Sequence, residues 1–313
     1  MKNKLAIIVP CFNEASTIEA MHKTLSQILA EMKGAELIDD ASYILSVDDG
    51  STDESKEILE ALAGEDQYLR VLSLSKNFGH QLALIAGMDS AADDADMLLT
   101  IDCDMQQDPL RIPDFVNAYY AGADVVLGVR RDRKNDSIMK NITAAVYHWF
   151  LLAMKIRYQR GHSDYRLVSK NIYKCVQSHI WVNQFLRSAF SNLNCNKTII
   201  YHDVAERKGG ETKYTFPKMM RLAIEGFFSN AHLALRFIGL LGLQATLLSM
   251  ILGLYVIICK LFFEPVEGWS SLFLVICFFG GITIFCQSLM SEVIIRVIKS
   301  LKNEKPYKLA EDR

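Results

Sequence analysis

The stretch Met97-Leu-Leu-Thr-Ile-Asp102-Cys-Asp104-Met-Gln-Gln-Asp108-Pro109 decides the fold: a short apolar run ends in two carboxylates two residues apart. On an extended segment alternate side chains share a side, so Asp102 and Asp104 leave together while Cys103 faces the other way. Two such carboxylates repel one another unless a cation lies between them, and hard oxygen ligands suit Mg²⁺ or Mn²⁺. A D-x-D alone is equally what a solvated turn or a helix cap looks like. Its context makes it a candidate metal site.

Outward from this point the same arrangement recurs. Apolar Leu5–Val9 precedes a helical pattern over Ala15–Met32, Tyr43–Val47 precedes Asp53–Leu62, and Val71–Leu74 precedes His80–Ala91. Met97–Ile101 and Val125–Val129 then flank a helical Arg111–Ala121. Near-continuous apolar strands alternating with helices predict an α/β domain, a doubly wound and mostly parallel sheet covered on both faces. Such sheets bind ligands outside the carboxyl ends of their strands. The polar clusters fall at those ends: Pro10 to Glu14, Asp48 to Asp53, Ser75 to Gly79 and Asp102 to Asp108. Asp48 or Asp49 suits a base imide or a ribose hydroxyl, Gly50 permits a sharp turn, and Asp53 suits a cap on the next helix. Asn13 stands equally well as a nucleotide contact or as part of the loop's own structure. No G-x-G-x-x-G follows the first strand and no Walker lysine loop is present, which disfavours a dinucleotide oxidoreductase or a P-loop NTPase.

The 313 residues are 50% hydrophobic and 22% charged, with a net charge of −2, so nothing in the balance points to nucleic acid. Seven scattered cysteines without a C-x-x-C pair read as reduced thiols. The apolar run before Pro10 is too short for a signal peptide. Residues 1–216 are therefore expected as a cytoplasmic catalytic domain. Phe237–Cys259 and Trp269–Met290 carry no formal charge over 23 and 22 residues. At 1.5 Å per residue each reaches roughly 33 to 35 Å, enough for a bilayer core of about 30 Å. Lys218, Arg221 and Arg236 before the first run and Arg296, Lys299 and Lys302 after the second place both termini in the cytoplasm. The expectation is a two-helix hairpin (237–290) in the cell's inner membrane, preceded by an amphipathic interfacial helix at 217–236 and followed by a cytoplasmic tail at 291–313.

Taken in order, VPCFNE, VDDGSTD, SKNFGH, DCDMQQDP, GHSDYRL and ERKGGETKY, followed by two spans, resemble the family 2 glycosyltransferases of the polyprenyl-phosphate type. Bactoprenol glucosyltransferases and dolichol-phosphate mannose synthases are among these. The resemblance implies a GT-A fold, a nucleotide-sugar donor, a divalent metal, a polyprenyl phosphate acceptor and a homotetramer. It implies that Pro10, Glu14 and Asp48 or Asp49, with Asn13 and Lys76, hold the nucleotide-sugar. Asp102 and Asp104 would hold metal and diphosphate, with Gln106 as a third metal ligand. Asp164 and Arg166 stand where the family has an active-site Asp-Phe-Arg. Arg207, Lys213 and Tyr214 stand in its basic motif before the membrane, with Thr212 in place of a serine. Lys76 replaces a common arginine and loses the bidentate fork. An acidic residue after D-x-D has moved by one place, to Asp108.

A single displacement at the anomeric carbon inverts it. The acceptor phosphate is already mostly dianionic at pH 7, its second pKa lying near about 6, so it needs cations more than a base. Arg130, Arg131 and Arg133, with Arg207, Lys208 and Lys213, are the expected source. Asp164 is expected as a base or as a sugar-orienting residue, and His80, His162 and His202 as structural or solvated. UDP-glucose is the first expected donor, ahead of UDP-linked amino sugars, UDP-galactose and GDP-mannose, and cell-envelope glycan modification the expected use. A processive polysaccharide synthase would carry Gln-x-x-Arg-Trp and more spans, and neither is present.

Overall fold

A computed structural model of the chain describes residues 2–130, 162–182, 186–191, 193–202, 269–302 and 305–310, and single positions between 244 and 262. It divides into a unit of residues 1–213 with 304–313, and a unit of residues 214–303.

The first unit is built on a seven-stranded sheet. Its strands are β1 (Leu5–Cys11), β2 (Tyr43–Asp48), β3 (Leu69–Ser73), β4 (Met97–Thr100), β5 (Val125–Arg130), β6 (His162–Ser169) and β7 (Lys197–His202). Their order is β3-β2-β1-β4-β6-β5-β7. The helices are α1 (Ala15–Gly34), α2 (Ser55–Glu65), α3 (His80–Ala91), α4 (Ile112–Tyr120), α5 (Lys170–Val182) and α6 (Leu186–Ser191). The side-chain period of two divides the core into two layers. Leu5, Ile7 and Val9 of β1 pack with α1, Leu59 of α2, and α4, whereas Ala6 and Ile8 pack with α3, α5 and α6. Helices on both faces bear out the doubly wound expectation.

β1 pairs parallel with β2 on one side and β4 on the other. The chain thus winds one way from β1 through α1, and the other way from α3 into β4, on opposite faces. A crevice opens at the carboxyl ends of β1 and β4, where such sheets bind ligands. α3 lies close to the sheet because Gly87 has no side chain; a Cβ there would fall 2.4 Å from Ile8 Cγ2.

The sequence reading places no strand at β6 or β7. β6 runs antiparallel between β4 and β5, with Thr100 opposite Arg166 and Val129 opposite His162. Its reversed direction brings its first residues to the rim where β4 and β5 end. Asp164 enters the crevice by that route.

In the second unit α7 runs from Trp269 to Lys302, twelve residues beyond the expected end of the second span. Its window Phe278–Ile295 has a mean hydropathy of 1.6 and is only 7% buried, and it is the one described helix long and apolar enough to cross a membrane. The expected interfacial helix at 217–236 and most of the first span lie outside the described residues, as do Arg131, Arg133, Arg207, Lys208, Lys213 and Tyr214.

Candidate active site

The β1–α1 and β2–α2 loops are laced together. Asn13 has a positive φ of 53°, and its backbone N–H donates to Ser51 Oγ at 3.1 Å. Its side-chain oxygen accepts from the Thr52 N–H at 2.9 Å, and its amide donates to Thr52 Oγ1 at 3.3 Å. Of the two roles open in the sequence, the geometry supports the structural one for Asn13. The Glu14 N–H donates to Ser55 Oγ at 2.9 Å. Asp53 accepts from the N–H groups of Ser55 and Ala15, and although its slight burial works the other way, these bonds lower its pKa. It holds the first turns of two helices. Pro10 is buried at the end of β1, opposite Val47.

Asp48 and Asp49 are each 2% exposed. Asp48 accepts from the Ser51 N–H at 3.0 Å and so closes its own turn. Asp49 accepts from the N–H groups of Phe78 and Gly79 at 2.8 and 2.9 Å; burial raises its pKa against the pull of those bonds. Between this turn and the Ser75–Gly79 loop there is no room for a side chain. Gly50 has φ +66°, and a Cβ there would stand 2.5 Å from the Lys76 carbonyl carbon. Gly50→Ala is therefore expected to cost about 2–4 kcal/mol from backbone strain and overpacking, measured by denaturant unfolding. The Lys76 side chain is exposed, its Nζ 5.3 Å from the Phe78 ring centroid.

Asp102 follows β4. Gln107, 1% exposed, grips it twice: Nε2 donates to Asp102 Oδ2 at 2.5 Å and Oε1 accepts the Asp102 N–H at 2.9 Å. The loop can turn back for this because Met105 takes a positive φ of 58°. Asp102 Oδ1 is buried and, among the described residues, has no hydrogen-bond partner, although His80 Nε2 lies 3.4 Å away. Burial raises the Asp102 pKa, with Asp164 and Asp104 adding to the rise and His80 opposing it. Asp104 Oδ1 accepts from the Gln106 N–H at 3.1 Å. Gln107 is thus the side chain that engages Asp102, and Gln106 meets Asp104 through its backbone N–H. Among the described residues no group of three or more His, Cys, Asp and Glu side chains would hold a metal alone. Even so, two carboxylates and an unsatisfied buried oxygen fit a hard divalent cation that takes its other ligands from a diphosphate and water.

Asp164, 3% exposed, lies beside this pair. It accepts from Arg166 Nη2, from Arg187 Nη2 at 2.9 Å and from Gln81 Nε2 at 3.2 Å, and His80 Nε2 is 3.6 Å from it. Burial opposes its charge, but Arg187, Arg166 and His80 together hold its carboxyl well below the usual range. Arg166 is wholly buried, which lowers its pKa, and among the described residues its Nε and Nη1 have no hydrogen-bond partner. The His80 side chain is 46% exposed, and although some desolvation works against its protonation, Asp164 and Asp102 outweigh this and raise its pKa. Arg130, at the end of β5, is close enough to Asp102 to stabilise its charge.

The exposed His80 thus lies between two carboxylates, a place compatible with the structural or solvated residue that the sequence reading expected. Arg187, Gln81 and Gln107 were not singled out in the sequence. Only His80 carried a signal, as the first residue of a helix that begins on the polar rim.

Residues 6–175 match the model of the family described as glycosyl transferase family 2. An uncharacterized glycosyltransferase of Bacillus subtilis, YkoT, is 32% identical over 97% of this chain and 90% of its own. A bactoprenol glucosyl transferase derived from the SfII prophage of Shigella flexneri is 34% identical over 97% and 96%. A prophage bactoprenol glucosyl transferase homolog of Escherichia coli K12 is 33% identical over 97% of each. The family match and these relatives show that the chain, whose mixed sheet gathers paired carboxylates at its rim, belongs to glycosyl transferase family 2 and is a glycosyltransferase.

Proposed function

We propose that the chain moves one hexose from a nucleoside diphosphate-sugar to a polyprenyl phosphate at a membrane surface, with UDP-glucose and undecaprenyl phosphate as first donor and acceptor. The observation that carries this is the buried, unsatisfied Asp102 Oδ1 beside Asp104, where the loops after β1, β2, β3 and β4 meet. The names of the bactoprenol relatives support the lipid acceptor.

Mg²⁺ or Mn²⁺ at Asp102 and Asp104 would bind the donor diphosphate and neutralise the charge that develops as it leaves. Gln107 fixes the Asp102 carboxylate so that one oxygen is left for this work. The buried turn at Asp48 and Asp49 and the loop carrying Lys76 take the nucleoside end. An oxygen of the acceptor phosphate bonds to the anomeric carbon as the bond from that carbon to the diphosphate breaks, so configuration inverts. A dianionic acceptor brings no proton to remove. Asp164, held ionised by Arg166 and Arg187, is a poor proton acceptor. Its role is to orient His80, Gln81 and Arg187 around the departing charge. Arg130, with Arg133, Arg207, Lys213 and Tyr214, receives the lipid phosphate through charge-assisted bonds.

The membrane is supported by α7, whose Leu272, Ile276, Phe278, Phe285, Ile294 and Ile298 are exposed. A soluble core helix would bury such residues. The reading keeps the two-span hairpin with both termini cytoplasmic, and the homotetramer.

The test uses the full chain in membranes, a panel of UDP-glucose, UDP-galactose, UDP-amino sugars and GDP-mannose, undecaprenyl phosphate, and product mass. One hexose per lipid is expected, abolished by a chelator and restored by Mg²⁺ or Mn²⁺. A polymeric product would instead indicate a polysaccharide synthase, and no product from any donor would sink the proposal.

A further inference from the structure

We propose that the segment Tyr307–Ala310 is a strap that positions the Ser75–Gly79 loop and thereby sets the affinity for the nucleotide-sugar. The inference rests on the reading above that this loop belongs to the donor site.

The segment adds to the β3 edge of the sheet. Leu309 pairs antiparallel with Leu74, the Ala310 N–H donates to the Ser73 carbonyl at 2.8 Å, and the Ser75 N–H donates to the Lys308 carbonyl at 3.0 Å. Ser75 is the first residue of the loop. Its far end runs into α3, which the same segment also grips, because Tyr307, 6% exposed, donates from its hydroxyl to Asp89 Oδ2 at 2.8 Å. Asp89, 4% exposed, also accepts from Tyr173 at 2.6 Å, Gln177 at 2.5 Å and Trp181 at 2.8 Å. That carboxylate ties α3, α5 and the strap into one buried network.

The strap therefore holds the loop's first residue directly and its far end only through α3, which Tyr307 binds near that helix's last turn. Between those ends lie the Lys76 backbone that abuts Gly50, the Phe78 and Gly79 N–H groups that bond Asp49, and then His80 at the carboxylates. Ordering an irregular loop before the ligand arrives removes part of the entropic cost of binding. No hydrogen bond or ion pair joins a strap residue to Asp102, Asp104 or Asp164 among the described residues, so its role is positioning.

The test uses the full chain in membranes with UDP-glucose. Ala310→Pro deletes one strap N–H, and Tyr307→Phe deletes only the hydroxyl. Ala310→Pro is expected to raise the donor KM about five- to tenfold, with kcat and the acceptor KM within about twofold; Tyr307→Phe should move the same constant less. Lys308→Ala, whose bond to Ser75 is made by its backbone, should change none of them. Coupling is reciprocal. Saturating UDP-glucose should therefore protect the bond after Lys308 from trypsin, which loss of folded protein alone would not produce. An unchanged donor KM in Ala310→Pro, or a fall in kcat alone in step with the folded fraction, overturns the strap. Gly50→Ala separates the two ideas. If it raises the donor KM and the strap variants do not, the strap alone fails; if it leaves the donor KM untouched, the donor-site reading fails and the strap with it.

Discussion

A protein carrying Asp104→Ala is expected to fold normally and to transfer sugar at least about a thousandfold more slowly than the wild type, because with the proposed metal site lost, charge that develops on the departing diphosphate loses its counter-charge. The stability cost is small: among the described residues the Asp104 side chain accepts one hydrogen bond, from the Gln106 N–H, a contribution of about 0.5–1.5 kcal/mol. Asp102→Asn should be as inactive, for a separable reason. Asparagine keeps the shape that Gln107 grips and removes only the charge. Thermal melting by circular dichroism and a Mn²⁺ titration of the transfer rate check both. A wild-type rate in either variant removes the metal assignment.

Asp164→Asn should act first on stability. Arg166 is wholly buried and Asp164 is 3% exposed, so neutralising the carboxylate leaves a guanidinium in the core without its counter-charge. Breaking one side of a buried pair costs about 3–5 kcal/mol, and a domain of about 200 residues should melt about 10 °C lower. Asp164→Leu with Arg166→Met should recover part of that loss, since neither charge then remains buried. The pH dependence has a definite sign. The folded pKa of Asp164 is depressed, so its stabilisation is complete above the unfolded carboxyl value of about 4 and fades as pH falls through the folded value. The gap in melting temperature between wild type and Asp164→Asn should therefore be flat from about pH 5 to 8 and close only in acid. A gap that closed near neutrality would restore Asp164 as a base.

The parallel half of the sheet was legible because its strands are apolar on both sides and each ends in a polar cluster. β1, β2, β3 and β4 differ from their expected limits by one or two residues. β6 was not legible. Its residues alternate between Asp164 and Arg166 on one face and Tyr165 and Leu167 on the other, and a charge pair in the core interrupts the apolar signal. β7 failed for the opposite reason: it is an edge strand with Ile199 and Tyr201 exposed and little pattern to detect. In the site, the positions of Asp102 and Asp104 and the capping role of Asp53 follow from strand ends and helix starts. The partnership of His80 with Asp102 and Asp164 depends on the antiparallel insertion of β6, which no local spacing encodes. The grip of Gln107 on Asp102 was not legible either, because the loop turns back at Met105, a non-glycine residue at positive φ.

The strap closes a contact across 218 residues, from Tyr307 back to Asp89. A chain made from its amino end has already emerged with every strand of the sheet before the ribosome reaches Tyr307. Until then the β3 edge carries unpaired backbone groups, and Asp89 has three of its four donors. Loop closure over such a span is late and entropically costly. If the strap positions the Ser75–Gly79 loop as proposed, a half-made chain has Asp102 and Asp104 in place while that loop is untethered, until α7 and the segment after it have been synthesised.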